Sequence, residues 1–112
     1  GMIGKQNTVL DYGTGKGRVC FYLSYQTRCR SVGIEYDERI FSGAMENREM
    51  AVFGARTCFV KADAGEYPIP KEVDRCYFFN PFSIEILQKV LARIYESFYE
   101  HPREKILVFE IV

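Results

Sequence analysis

Three glycines and two acidic residues of this sequence occupy positions where they could hold a polar ligand. Gly13, Gly15 and Gly17 alternate with other residues just after a short apolar run that contains Asp11. Glycines at this spacing let the backbone turn sharply and approach a ligand with no Cβ atoms in between. Glu35 closes a second apolar run. Because open α/β sheets bind ligands at the carboxyl ends of their strands, these features predict a site for a nucleoside-containing cofactor.

The glycine turn does not fit two other nucleotide-binding patterns. A triphosphate-binding loop has the pattern GxxxxGK[ST], which the residues from Gly13 to Arg18 do not supply. A dinucleotide-binding turn has the pattern GxGxxG, and Arg18 stands where its third glycine is required. The pattern that remains is D-x-G-x-G-x-G, so an NAD-type site is the less favoured alternative.

Five apolar strand signals alternate with helix signals along the chain. Asp37 and Ser83 are suitable N-caps, because their side chains can accept free backbone N–H groups, and Gly54 is placed to end the helix that Asp37 begins. Apolar strands that alternate with helices predict an α/β domain with a parallel sheet covered on both faces, spanning residues 1–112 as one unit. The predicted strands are residues 8–12, 31–36, 56–62, 73–79 and 105–112, and the predicted helices are residues 16–26, 38–53 and 84–100.

Helical spacing predicts that aromatic and apolar side chains of two helices pack in the core rather than stack on bases. Cys58 and Cys76 fall in apolar strand-like runs, so we expect both thiols to be buried. The aromatic residues in question are Phe21, Tyr22, Tyr25, Tyr95, Phe98 and Tyr99, and the apolar stripe of the last helix is Ile84, Leu87, Leu91, Ile94 and Phe98.

Composition argues against several classes of function. Fifteen basic residues balance fifteen acidic ones, which gives no support for general nucleic-acid binding. The four cysteines form no CxxC pair and the single histidine, His101, is far from them in sequence, so no metal site is predicted. No apolar run is long enough to span a bilayer, and reduced thiols in a cytoplasmic protein are the favoured interpretation.

The D-x-G-x-G-x-G turn followed by Glu35 resembles motif I and its acidic follower in the class I S-adenosylmethionine-dependent methyltransferases. This resemblance implies a Rossmann-like three-layer sandwich with a mostly parallel five-stranded sheet. It implies that Asp11 orients the loop and the methionine ammonium, while Gly13, Gly15 and Gly17 bring backbone close to the methionine and ribose. Glu35 would then accept hydrogen bonds from the ribose hydroxyls, and the following residue, Tyr36, would stack on adenine.

Two further segments extend the resemblance. Asp63 and Ala64 follow the third predicted strand, at the acidic position that often receives the adenine amino group. Asn80, Pro81 and Phe82 resemble the N/D-P-P-F/Y/W motif of methyltransferases that act on amino groups, with one proline instead of two. Each assignment has a structural alternative. Asp11 would merely fix its turn, Asp63 would cap a local bend, and the Asn-Pro step would simply end a strand with Phe82 in the core.

The resemblance implies an S-adenosylmethionine-dependent methyltransferase, with an amino group as the favoured acceptor class and the acceptor itself undefined. The alternative is a non-catalytic domain that binds the cofactor or a partner. A full class I core continues past its fifth strand, so we expect this chain to lack the C-terminal strands of that core. Its last strand would be an apolar edge, which predicts that a second copy or a partner chain covers it.

Overall fold

The fold is an α/β sandwich built on a parallel sheet, as the alternation of elements predicts, and it is Rossmann-like, as the resemblance implies. A computed structural model describes residues 3–13, 17–51, 54–79, 83–104 and 106–110. The strands are β1 (Thr8–Tyr12), β2 (Arg30–Glu35), β3 (Thr57–Lys61), β4 (Arg75–Phe79) and β5 (Ile106–Glu110). The helices are α1 (Arg18–Thr27), α2 (Glu38–Met50) and α3 (Ile84–Glu100), and a short 3-10 turn covers Gly54–Arg56.

The sheet has the strand order β3-β2-β1-β4-β5, and each neighbouring pair is parallel. Asp11 of β1 lies opposite Gly33 of β2 on one side and Tyr77 of β4 on the other. Because all the strands run in the same direction, their carboxyl ends meet at one edge of the sheet. β1 and β2 lie side by side, so that edge brings Gly13 and Glu35 together.

The sheet is covered on both faces by separate apolar clusters. On one face, α3 packs against β1, β2 and β4, and Tyr12 stacks on Phe78 with ring centroids 5.1 Å apart. On the other face, α1 and α2 pack on the sheet through Cys20 and Ala44, and Phe21 meets the edge of the Phe59 ring at 5.4 Å. This two-sided burial explains why the central strands are almost entirely apolar.

Both predicted helix N-caps are confirmed. The Asp37 carboxylate accepts hydrogen bonds from the backbone N–H groups of Arg39 and Ile40, and the Ser83 hydroxyl accepts one from Ile86. These bonds satisfy N–H groups that lack partners in the first turn of a helix. The predicted end of the second helix is wrong, because α2 ends at Met50 and Gly54 instead begins the 3-10 turn.

The prediction that both strand cysteines are buried is right for Cys76 and wrong for Cys58. Cys76 lies in β4, near the middle of the sheet, whereas Cys58 is exposed. Its strand, β3, is an edge strand, and the segment 62–74 that leads to β4 contains no helix. An apolar run therefore predicts a strand here, but it does not predict that both faces of that strand are covered.

The prediction of an aromatic core is right for Phe98 and wrong for four tyrosines. Tyr22 and Tyr25 share the outer side of α1, while Tyr95 and Tyr99 share the outer side of α3, and each is more than half exposed. The two outer pairs have helical spacing of their own, so periodicity alone could not distinguish them from the buried stripe. The stripe predicted for α3 is buried at Ile94 and Phe98, but Ile84 at its start is exposed.

Candidate functional site

A cleft of about 310 Å³ lies at the carboxyl edge of the sheet. Residues that end or follow β1, β2 and β3 line it, together with one residue from the first turn of α3. Its size is within the range of sites that hold small-molecule ligands. The lining residues are Gly13, Ile34, Glu35, Tyr36, Ala62, Asp63, Ala64 and Ile86.

The Glu35 carboxylate is held in a defined orientation at the end of β2. Its Oε2 accepts a hydrogen bond of 3.1 Å from the backbone N–H of Asp37, two residues later. Its backbone carbonyl accepts a bond of 3.2 Å from the N–H of Ala62, which ties β2 to the chain after β3. A half-buried carboxylate fixed in this way is a preorganised acceptor for the hydroxyl groups of a ligand.

Gly13 follows β1 and Gly17 precedes α1, and the two glycines meet different surroundings. Both have left-handed backbone, with φ values of 66° and 89°. A Cβ atom built on Gly13 would have no heavy atom of the described residues within 4 Å, whereas one on Gly17 would lie 2.6 Å from the Phe59 ring. Gly13 therefore leaves open space beside the cleft, while Gly17 is the N-cap of α1 and allows that helix to pack closely on the sheet.

Asp11 is buried beneath α1 rather than part of the cleft lining described above. It is 2% exposed, and its Oδ2 accepts a weak hydrogen bond from the Cys20 thiol at 3.9 Å. This position supports the interpretation that the carboxylate stabilises the turn from within.

Asp63 lines the cleft and also caps a local bend. Its Oδ1 accepts a hydrogen bond of 2.9 Å from the N–H of Gly65, and its carbonyl accepts one of 3.0 Å from Glu66. Asp63 therefore does cap a local bend, as the structural alternative to a ligand role predicts. That contact does not compete with a ligand role, because a carboxylate has further lone pairs to offer. Ala64 contributes a small apolar side to the wall.

Tyr36 and Ile86 contribute large, exposed apolar side chains to the cleft lining. Tyr36 is 73% exposed and Ile86 is 42% exposed, which are large values for such side chains. Sequence reasoning did not include Ile86, Ile34 or Ala62 in the site. Ile34 and Ala62 directly precede predicted residues in the sequence, so the same reasoning could include them. Ile86 lies in the first turn of α3, and only the packing of that helix on the sheet places it in the cleft.

Four predicted site residues lie outside the described part of the chain. Gly15 falls within residues 14–16, and Asn80, Pro81 and Phe82 form the segment between β4 and Ser83. Their predicted roles therefore stay predictions.

Within the described residues, no group of three or more histidine, cysteine, aspartate or glutamate side chains is close enough to hold a metal ion. No helix in that same part is long and apolar enough to cross a bilayer.

Comparison with known proteins identifies the family. The profile of the methyltransferase domain family matches residues 9–101 of this chain. The chain therefore belongs to the methyltransferase domain family, as the glycine turn and Glu35 predict. No curated protein sequence matches it.

Solved structures share the fold at low sequence identity. An RNA methyltransferase from Salinibacter ruber in complex with S-adenosyl-L-homocysteine has a TM-score of 0.75 at 23% identity, over 85% of this chain and 60% of that one. Phosphoethanolamine N-methyltransferase 2 of Haemonchus contortus, in complex with S-adenosyl-L-methionine, has a TM-score of 0.76 at 21% identity, over 87% and 23%. Geranyl diphosphate C-methyltransferase from Streptomyces coelicolor A3(2) has 0.74 at 13%, over 84% and 36%. The chain thus spans 60% or less of the length of these proteins.

Proposed function

We propose that this chain binds S-adenosylmethionine in the cleft at the carboxyl edge and serves as the cofactor-binding part of a methyltransferase. The observation that carries the proposal is the pairing of Gly13 with Glu35 across one cleft. Gly13 supplies backbone that a ligand can approach closely, and Glu35 supplies a fixed carboxylate. A ligand with paired hydroxyl groups next to a compact polar group satisfies both.

The lining suggests how each part of the cofactor would be held. Glu35 would accept hydrogen bonds from the ribose hydroxyls, since an ionised carboxylate can accept two at once. Tyr36 and Ile86 would contact the adenine ring through their exposed apolar surfaces, and Asp63 would accept a hydrogen bond from the adenine amino group. Gly13 would lie against the ribose and methionine, with Asp11 supporting the turn from below.

The bound cofactor supplies an activated methyl group on a sulfonium, so the residues of this chain need only bind, orient and exclude water. Holding two reactants in line can remove about 7–11 kcal/mol of an activation barrier at best. The buried Cys76 fits this division of labour, because burial raises the pKa of its thiol to about 12 and keeps it neutral. It packs in the core and does not act as a nucleophile.

An amino group is the acceptor class we propose, and it depends on Asn80, Pro81 and Phe82. The compared structures are named for RNA, an amine and a carbon acceptor, so the shared fold does not select among acceptors. The test is transfer of a radiolabelled methyl group to RNA, peptide amines and small amines by wild type and Asn80→Ala. Transfer to an amine that Asn80→Ala abolishes, at unchanged cofactor affinity, supports the proposal. Cofactor binding without transfer to any acceptor supports the non-catalytic alternative.

Cofactor binding itself is tested by calorimetric titration with S-adenosylhomocysteine, with NAD as the competing ligand. We expect wild type to bind the former and Glu35→Gln to bind it about 10–100-fold more weakly, since a hydrogen bond to a charged group contributes about 1.5–3 kcal/mol. Glu46→Gln removes the same charge from an exposed position on α2 and serves as the matched control. Equal losses in both variants, or a preference for NAD, would refute the assignment.

The proposal also covers association with another chain and cellular location. β5 forms an edge of the sheet, which supports coverage by a second copy or a partner chain, because an uncovered edge strand is a template for pairing. A cytoplasmic location is supported by the cysteine pattern of the sequence, which favours reduced thiols.

A further inference from the structure

A second and larger cavity, of about 900 Å³, lies at the amino edge of the sheet, opposite the cleft. We refer to it as the amino-edge cavity. Parts of its wall come from the turn before β1, the starts of β2 and β3, the end of α2 and the loop before β4. Four cationic side chains line it, namely Lys5, Arg30, Arg48 and Arg56.

Among the described residues, no carboxylate pairs directly with any of these four cations. Ion pairs do occur elsewhere in the chain, such as Arg93 with Glu96 at 2.7 Å. Glu72 is the one acidic residue in the described lining. Glu72 also faces the neighbouring Arg103. Burial lowers the pKa of Arg103, and nearby acidic groups, Glu72 among them, oppose that shift. The cavity therefore carries an excess of positive charge.

Two of the guanidinium groups are fixed in place by backbone carbonyls. Arg56 donates from Nε to the carbonyl of Arg28 at 2.6 Å, and Arg48 donates from Nε to the carbonyl of Thr57 at 2.7 Å. A carbonyl orients a guanidinium without cancelling its charge. Each guanidinium has five N–H donors in a planar fork, a geometry that matches the oxygens of a phosphate group.

We propose that the amino-edge cavity binds a ligand that carries two or more phosphate groups. Several cations around one cavity match several phosphates better than a single small anion, and the volume has room for more than one phosphate group. The ligand is either a free polyphosphate or the backbone of a single-stranded RNA, which share this chemistry. The site is separate from the cleft that holds Glu35, and its occupation does not depend on methyl transfer.

The test uses Lys5 and Arg30, because neither side chain makes a hydrogen bond or an ion pair among the described residues, so replacing them removes charge without removing a structural contact. Pyrophosphate and a ten-nucleotide single-stranded RNA are titrated into wild type, the double variant Lys5→Gln/Arg30→Gln and the control Arg39→Gln/Lys89→Gln. The control removes the same charge from exposed positions outside the cavity. Thermal unfolding of each variant verifies that it is folded.

We expect wild type and the control to bind pyrophosphate alike, and the cavity variant to bind it at least tenfold more weakly. Affinity for S-adenosylhomocysteine should be equal in all three proteins. If RNA binds at least tenfold more tightly than pyrophosphate and responds to the same variant, the ligand is a nucleic-acid backbone; if not, it is a free polyphosphate. Absence of binding by wild type, or equal weakening in the control, overturns the proposal.

A second measurement needs no variant. Cys58 lines the amino-edge cavity and is exposed, whereas the other three cysteines are buried. Alkylation by neutral iodoacetamide, followed by mass spectrometry of the modified peptide, therefore reports access to the cavity. We expect saturating pyrophosphate or RNA to slow modification of Cys58 several-fold. An unchanged rate at saturation would overturn the placement of the ligand in this cavity.

Discussion

The backbone N–H of Asp37 donates a hydrogen bond of 3.1 Å to Oε2 of Glu35, while the Asp37 side chain caps α2 through Arg39 and Ile40. One short segment thus fixes the start of a helix and the orientation of the carboxylate that faces the cleft. The end of β2 and the N-terminus of α2 are therefore linked at the candidate site, so loss of the cap should lower the affinity for the cofactor.

Removal of this cap should weaken both the fold and cofactor binding. We expect Asp37→Ala to lower the free energy of unfolding by about 1 kcal/mol, since it removes an N-cap side chain. Asp37→Asn retains an acceptor oxygen and should remain close to wild type. Urea unfolding and calorimetric titration with S-adenosylhomocysteine measure the two effects. An Asp37→Ala protein with wild-type affinity would show that the cap does not support the orientation of Glu35.

The two described glycines of the turn should respond differently to alanine. Gly17→Ala places a Cβ atom 2.6 Å from the Phe59 ring, so its cost in unfolding free energy should exceed the about 1–2 kcal/mol of left-handed backbone alone. Gly13→Ala would meet no described side chain within 4 Å and should lose only that backbone term, but it should weaken cofactor binding. Equal stabilities of the two variants in urea unfolding would be inconsistent with the packing described for Gly17.

Stability should fall at alkaline pH because Cys76 is buried in its neutral form. Its thiol pKa rises from 9.0 unfolded to about 12 folded, so its contribution is complete below pH 9 and is lost progressively as the pH rises toward 12. At pH 10 this one group should lower the free energy of unfolding by about 1.4 kcal/mol, the value of one pKa unit. Burial raises the pKa of Tyr12 as well, which adds to the loss at higher pH.

The variant Cys76→Val separates this contribution from the rest. It keeps an apolar side chain of similar size in the core and removes the titrating group. Urea unfolding at pH 8 and pH 10 should show a smaller loss for Cys76→Val than for wild type. The same loss in both proteins would mean that Cys76 is not the source of the alkaline sensitivity.

The edge strand β5 should make the chain associate. Sedimentation velocity over a range of concentrations should show a second copy bound, and Val108→Lys should shift the protein toward the monomer, because charge on an edge strand opposes pairing. Wild-type protein that stays monomeric at all concentrations would argue against a second copy.

Local chemistry predicted much of the candidate site. The caps at Asp37 and Ser83 depend on residues within one helical turn, and parallel strands necessarily bring Gly13 and Glu35 to one edge. These features need no knowledge of the remaining fold. The order of the strands was not predicted, and it makes β3 an edge and leaves Cys58 exposed.

Other features depended on tertiary contacts that no local pattern encodes. The function of Gly17 in packing is set by Phe59, which lies in a strand far along the chain. Ile86 reaches the cleft because α3 begins at the carboxyl edge after β4, and its first turn packs beside the ends of the strands. The amino-edge cavity is likewise invisible in the sequence, because its four cations come from separate elements and the net charge of the chain is zero.

The most direct test of the cofactor site is a crystal structure of the chain grown with S-adenosylhomocysteine. We predict that the ribose hydroxyls lie within hydrogen-bond distance of the Glu35 carboxylate, with adenine in contact with Tyr36 and Ile86. A ligand bound elsewhere on the molecule, or Glu35 turned away from the sugar, would contradict the central claim.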